Sequence, residues 1–141
     1  MTTRSKATAV TASLLAVLGL AGCGFLASPV PFSDLTRERT EADALPELHD
    51  FPPANVDPES SRYVGEHEGV RLWLAEPTQV DGVCLIVVRT TDTDWVAGCS
   101  GGSGVRLGGA GGSFEVRPDR APVPDDATRV SENVYVLGSS R

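Results

Sequence analysis

The chain has 141 residues, a length that fits one domain and excludes a multidomain enzyme. Hydrophobic residues make up 40%, charged residues 22% and aromatics only 6%, with 15 Gly and 10 Pro, the composition of an aromatic-poor globular protein. Nineteen acids against 12 bases give a net charge of −7, which argues against nucleic acid as a partner, and no apolar run reaches the length of about 18 residues that a membrane helix requires.

Residues 1–22 read as a secretory leader. Arg4 and Lys6 form a short basic region, and an uncharged stretch runs from Ala7 to Leu20. That stretch matches the hydrophobic region of a signal peptide and is too short to cross about 30 Å of hydrocarbon as a helix. It ends at Leu20-Ala21-Gly22-Cys23, small residues before a cysteine. This arrangement resembles the lipobox of bacterial lipoproteins. The resemblance implies that the Cys23 thiol receives a diacylglyceryl group, that cleavage precedes it, and that Cys23 becomes the mature N-terminus. Two acyl chains hold a protein to a bilayer stably where one holds it only marginally, at about 0.8 kcal/mol per buried methylene. Loss of residues 1–22 removes Arg4 and Lys6 and no acid, so the mature chain is more acidic still. An anionic leaflet repels such a chain, and the lipid has to provide the attachment.

Residues 23–60 read as the lipidated cysteine followed by a tether. The segment holds Pro29, Pro31, Pro46, Pro52, Pro53 and Pro58, and eight acids against Arg37 and Arg39. Proline and like-charge repulsion both favour an extended chain. One short helix is expected within it, capped by Ser33, with Asp34 at its N-terminal dipole and Pro46 stopping it near Ala44.

A small β domain is expected over residues 61–138. Arg62-Tyr63-Val64 enters a strand, and Glu66-His67-Glu68-Gly69 supplies a turn in which the glycine takes positive φ. In Val70–Ala75 the residues Val70, Leu72 and Leu74 share one face and Trp73 takes the other. Val83–Val88 is apolar throughout, the pattern of a central strand covered on both faces. Trp95–Cys99, Val105–Leu107, Phe114–Val116 and Asn133–Leu137 complete the set, with a proline-rich acidic loop from Pro118 to Asp126. Short strands at even spacing imply a mainly β fold, a small antiparallel sheet of about six strands.

Cys84 and Cys99 remain after Cys23, and outside the cytoplasm two such cysteines pair. A hairpin turn centred on Thr91-Asp92 places Cys84 opposite Cys99, Ile86 opposite Ala97 and Val88 opposite Trp95, all on one face. The spacing predicts a disulfide across the hairpin, with Trp95 packed near it. Redox or metal chemistry would require C-x-x-C spacing or neighbouring histidines, and neither is present.

Gly98-Cys99-Ser100-Gly101-Gly102 satisfies G-x-S-x-G in form, but no helix follows and both histidines, His49 and His67, precede the serine. It reads as a loop leaving the hairpin. Gly108–Gly112 lacks the Lys-Ser/Thr of a phosphate loop and reads as a hairpin connection. Glu66-His67-Glu68 and the pair Asp92, Asp94 lack the ligand spacing of a zinc or calcium site, so no metal and no cofactor is expected. Trp73 and Trp95 are the candidate ligand-stacking surface, with a role in the core as the competing reading.

The run from Ser61-Arg62 through Gly65-Glu66, Gly69-Val70, Trp73, Cys84-Leu85-Ile86, Trp95–Cys99 and Asn133–Val136 resembles small lipoproteins of high-GC Gram-positive bacteria, and the preference for Arg over Lys agrees with that source. The resemblance implies location and architecture and no activity. The expectation is a non-enzymatic lipoprotein on the extracytoplasmic face of the cell membrane, binding a protein or another envelope component. The alternative is an accessory solute- or metal-binding lipoprotein with a tryptophan-lined pocket.

Overall fold

The computed structural model describes residues 31–53, 55–109 and 111–138. Cys23 and the leader lie outside the described residues. Eight strands follow in chain order: β1 (Val56–His67), β2 (Val70–Pro77), β3 (Val83–Val88), β4 (Trp95–Ser100), β5 (Val105–Gly109), β6 (Gly112–Val116), β7 (Ala127–Arg129) and β8 (Val134–Leu137). The fold is mainly β and antiparallel, as the strand pattern implies, but the strands divide between two sheets of four, ordered β1-β2-β3-β4 and β5-β6-β8-β7. The division follows from the apolar pattern. All six residues of β3 are buried, so each face of the first sheet needs a covering layer. Gly104, with φ 95°, turns the chain out of β4 toward the second sheet. A Cβ there would lie 2.1 Å from the Val116 carbonyl oxygen. The third strand of the second sheet in sequence, β7, follows the acidic proline-rich loop and pairs with β8 through Thr128 and Val136.

The local hairpins close as their sequences dictate. Glu68 (φ 50°) and Gly69 (φ 79°) make the two-residue connection between β1 and β2, with His67 paired to Val70. Between β3 and β4 the register joins Cys84 to Cys99, Ile86 to Ala97 and Val88 to Trp95. Cys84 and Cys99 form a disulfide with Cα atoms 4.0 Å apart. That separation lies below the usual disulfide range and near the roughly 4.5 Å of a non-hydrogen-bonded antiparallel pair.

The main core lies between the sheets. Val64, Val70, Leu72, Leu74, Val83, Leu85 and Val87 from the first sheet meet Phe114, Val116 and Val134 from the second. Trp73, Ala75, Cys84, Ile86 and Val88 point to the opposite face of the first sheet and form a second cluster with Val56. The alternation in Val70–Ala75 therefore separates two cores, not a core from solvent.

The largest departure from the expected tether lies in residues 31–53. They are a strap wrapped around the edge of the first sheet. Phe32 and Leu35 enter the main core, while Leu45, Leu48 and Phe51 pack against the second cluster. The helix is one turn, α1 (Ser33–Thr36), followed by a separate 3-10 turn at Glu41–Asp43. Ser33 does not cap α1. Phe32 occupies the capping position, and the backbone N–H groups of Ser33 and Asp34 donate to Asp119 Oδ1 and Asn133 Oδ1, each at 3.0 Å. Acceptors supplied by loops of the second sheet make a local cap unnecessary. The extended tether gives way because its five large apolar side chains gain more from burial than the segment loses in conformational freedom.

Candidate functional site

Two polar clamps hold the strap, and they decide which surfaces remain open. At the first, the Ser33 hydroxyl donates to Asp119 Oδ2 at 2.6 Å, and the Asp34 carboxylate accepts from Ser131 Oγ at 2.7 Å and the Asn133 N–H at 2.8 Å. Asn133 is 0% exposed, and its amide N–H groups donate to the Arg117 carbonyl at 2.9 Å and Asp119 Oδ1 at 2.8 Å. A buried amide placed in this way has both donors and its acceptor in use. Burial pushes the Asp119 carboxyl up, but hydrogen bonds from Ser33 and Asn133 and the nearby Arg120 charge outweigh it and hold the group below its ordinary value.

At the second clamp, Asp43 is 1% exposed and forms an ion pair with Arg37 through both carboxylate oxygens. It also accepts from the backbone N–H groups of Thr40 at 2.8 Å and Tyr63 at 2.9 Å. Arg37 donates in turn to the Tyr63 carbonyl at 2.9 Å, and Ser61 Oγ donates to the Asp43 carbonyl at 2.8 Å. Tyr63 lies on the edge strand β1, so the Arg37–Asp43 pair occupies the outward N–H and C=O that another strand would otherwise join. The hydrogen bonds from Arg37 hold the Asp43 carboxyl well below the usual carboxylate range against the opposing effect of burial, with Thr40 and Tyr63 adding to the shift.

The tryptophans do not form an open surface. Trp73 is 3% exposed, its ring tilted at 58° to that of Tyr63 with centroids 5.0 Å apart and with the Arg71 guanidinium 5.5 Å from its own ring centre. Its indole N–H is buried without a hydrogen-bond partner. Trp95 is half-buried, meets Phe51 edge-on at 5.1 Å, and donates its indole N–H to the His49 carbonyl at 2.9 Å. The His49 N–H donates to the Asp92 carbonyl at 2.9 Å. The strap thus covers the face on which both rings lie, and the core reading of Trp73 and Trp95 replaces the exposed-surface reading. As expected, Trp95 and Cys99 belong to one cluster.

Ser100 lies at the Val83 end of the β3–β4 hairpin, and its hydroxyl donates to the Gly101 carbonyl at 3.3 Å. His67 sits in the β1–β2 hairpin and His49 against the β3–β4 turn, both at the other end of the sheet. The length of β3 separates them from Ser100, about 17 Å at the rise of an antiparallel strand. Neither histidine is placed to activate that hydroxyl. Among the described residues no group of three or more His, Cys, Asp or Glu could hold a metal ion. In the glycine hairpin, Arg89 lies across Gly109 and Gly111 and pairs with Asp94 at 2.8 Å. Asp94 therefore anchors an arginine.

Clefts formed by the described residues include two with open mouths. One, of about 350 Å³, lies between α1 and the β2–β3 turn and is lined by Pro31, Phe32, Leu35, Pro77 and Val80, with Glu76 and Asp81 at its rim. The other, of about 510 Å³, lies beside the β6–β7 loop and is lined by Arg106, Arg117, Val123, Asp125 and Leu137. Its arginines already serve the buried carboxylate of Glu115, Arg117 Nε at 2.6 Å and Arg106 Nε at 3.1 Å. The clamp residues Arg37, Asp43, Asp119 and Asn133 were not singled out by sequence reasoning. Two signals pointed to them: Thr40-x-x-Asp43, a capping pattern, and the large apolar residues Phe32, Leu35, Leu45, Leu48 and Phe51 within an acidic segment.

Comparison with protein-family models, curated proteins and solved structures finds no match for the chain.

Proposed function

We propose that the chain is a lipoprotein held by a diacylated Cys23 on the extracytoplasmic face of the cell membrane, where its β domain acts by binding a protein or envelope component. The observation that carries this reading is the order of the first 23 residues: two bases, an uncharged stretch of signal-peptide length, and Leu20-Ala21-Gly22-Cys23. The Cys84–Cys99 disulfide supports it, because such bonds persist in oxidising compartments outside the cytoplasm. Binding is favoured over catalysis by the isolation of Ser100 from both histidines. The tryptophan-lined pocket of the alternative reading loses its support, since the strap fills the face on which Trp73 and Trp95 lie. Arg37 and Asp43 occupy the outward N–H and C=O of Tyr63 on β1, so a partner strand does not join the sheet at that point.

In cells, the wild-type chain should fractionate with membranes and incorporate a fatty-acid label, and Cys23→Ala should do neither. Retention of Cys23→Ala in the membrane fraction after loss of the leader would refute the anchor.

A further inference from the structure

We infer that the domain rests against the bilayer with the Pro31 end down, Val80 and Arg120 forming its lipid-facing contact. The inference rests on the lipid-anchor reading and follows from where the packed chain begins. Because the strap is part of the folded body, only residues 24–30 separate Cys23 from Pro31, whose carbonyl accepts the Asp119 N–H at 3.0 Å. Eight residue steps reach at most about 29 Å when fully extended. A folded body of about 105 residues has a radius of gyration near 13 Å and so a diameter of about 34 Å. The link is shorter than the body it carries, which leaves the Pro31 end facing the membrane.

The chemistry of that end agrees with the geometry. Val80, on the β2–β3 turn, lines the same cleft as Pro31 and is 63% exposed. Among the described residues it and Val123, at 60%, are the large hydrophobic side chains left most open to solvent. Arg120 follows Asp119, whose N–H is bonded to the Pro31 carbonyl; it is exposed, and its charge acts on the Asp119 carboxylate without a direct hydrogen bond or ring contact. An exposed guanidinium and an exposed apolar side chain, each on a segment that meets Pro31, suit the headgroup zone of a lipid surface, where phosphates accept hydrogen bonds and the acyl boundary accepts methyl groups. Glu76 and Asp81 on the cleft rim oppose deep entry into an anionic leaflet, so the contact is shallow and depends on the anchor.

The test uses the mature chain coupled through the Cys23 thiol to a maleimide phospholipid, in phosphatidylcholine vesicles containing phosphatidylglycerol. This imposes the anchor and isolates the question of orientation. Val80→Trp places a reporter at the proposed contact, and Thr91→Trp places one in the β3–β4 turn at the far end of the sheet. Bromine-labelled lipids should quench the added emission of Val80→Trp and leave that of Thr91→Trp unchanged, and Arg120→Glu should reduce the quenching at position 80. Equal quenching at both positions, quenching at position 91 alone, or none at either would overturn the proposed orientation. Mass spectrometry of protein from native cells separately reports the lipid on Cys23. Its absence there would remove the anchor reading while leaving the vesicle result to stand for the imposed anchor.

Discussion

Replacing Asp43 by alanine tests whether the strap is a structural layer of the domain. The carboxylate is nearly fully buried, accepts from Arg37 and Thr40, and satisfies the outward N–H of Tyr63 on the edge strand. Thr40 and Arg37 are exposed enough for water to replace part of what they lose, and their share is discounted accordingly. The half-buried Tyr63 N–H loses its acceptor at a cost of about 1 kcal/mol, and the unpaired guanidinium adds about 1 kcal/mol more. Asp43→Ala should therefore destabilise the protein by about 2 kcal/mol, or roughly 10 °C in Tm. The loss should begin at the strap. Phe51 and the His49 carbonyl would leave Trp95, whose emission should shift to the red before the sheets unfold, and the Tyr63 amide should exchange faster. Urea denaturation followed by tryptophan fluorescence, with amide exchange by NMR, measures both effects. A change within about 0.5 kcal/mol, the range of an ordinary surface substitution, together with an equally protected Tyr63 amide, would refute the structural role of the clamp.

The remaining predictions concern acid, the second clamp and the disulfide. The carboxyls of Asp43 and Asp119 both lie below their ordinary values in the folded chain, so their contribution is present at neutral pH and is lost as pH falls below about 4. Acid titration of stability should show this decline, and Asp43→Asn should flatten it; an unchanged profile would contradict the assignment. Asn133→Ala removes three partly buried hydrogen bonds of a fully buried amide and should cost about 3 kcal/mol by chemical denaturation. A cost under about 1 kcal/mol would mean that water replaces the amide. Reduction of the Cys84–Cys99 bond, which closes a span of 15 residues, should lower stability by about 3 kcal/mol in the chain-entropy picture, and a Tm indifferent to reductant would count against it.

What the sequence determined by itself is the short-range geometry. Period-two alternation in Val70–Ala75, the unbroken apolar run of Val83–Val88 and the Glu68-Gly69 turn fix strands and hairpins through contacts a few residues apart. The pairing of Cys84 with Cys99 and Val88 with Trp95 follows from one turn position, because register in a hairpin is set by its loop. Only the tertiary structure decided the rest: the division into two sheets, and the fate of residues 31–53. The acceptors for α1 come from Asp119 and Asn133, 86 and 99 residues away, and the apolar face that takes Leu45, Leu48 and Phe51 exists only after the first sheet has formed. Proline and acidic residues report how a segment behaves in water. Whether it stays there depends on a surface that other parts of the chain assemble, and no local pattern encodes that surface.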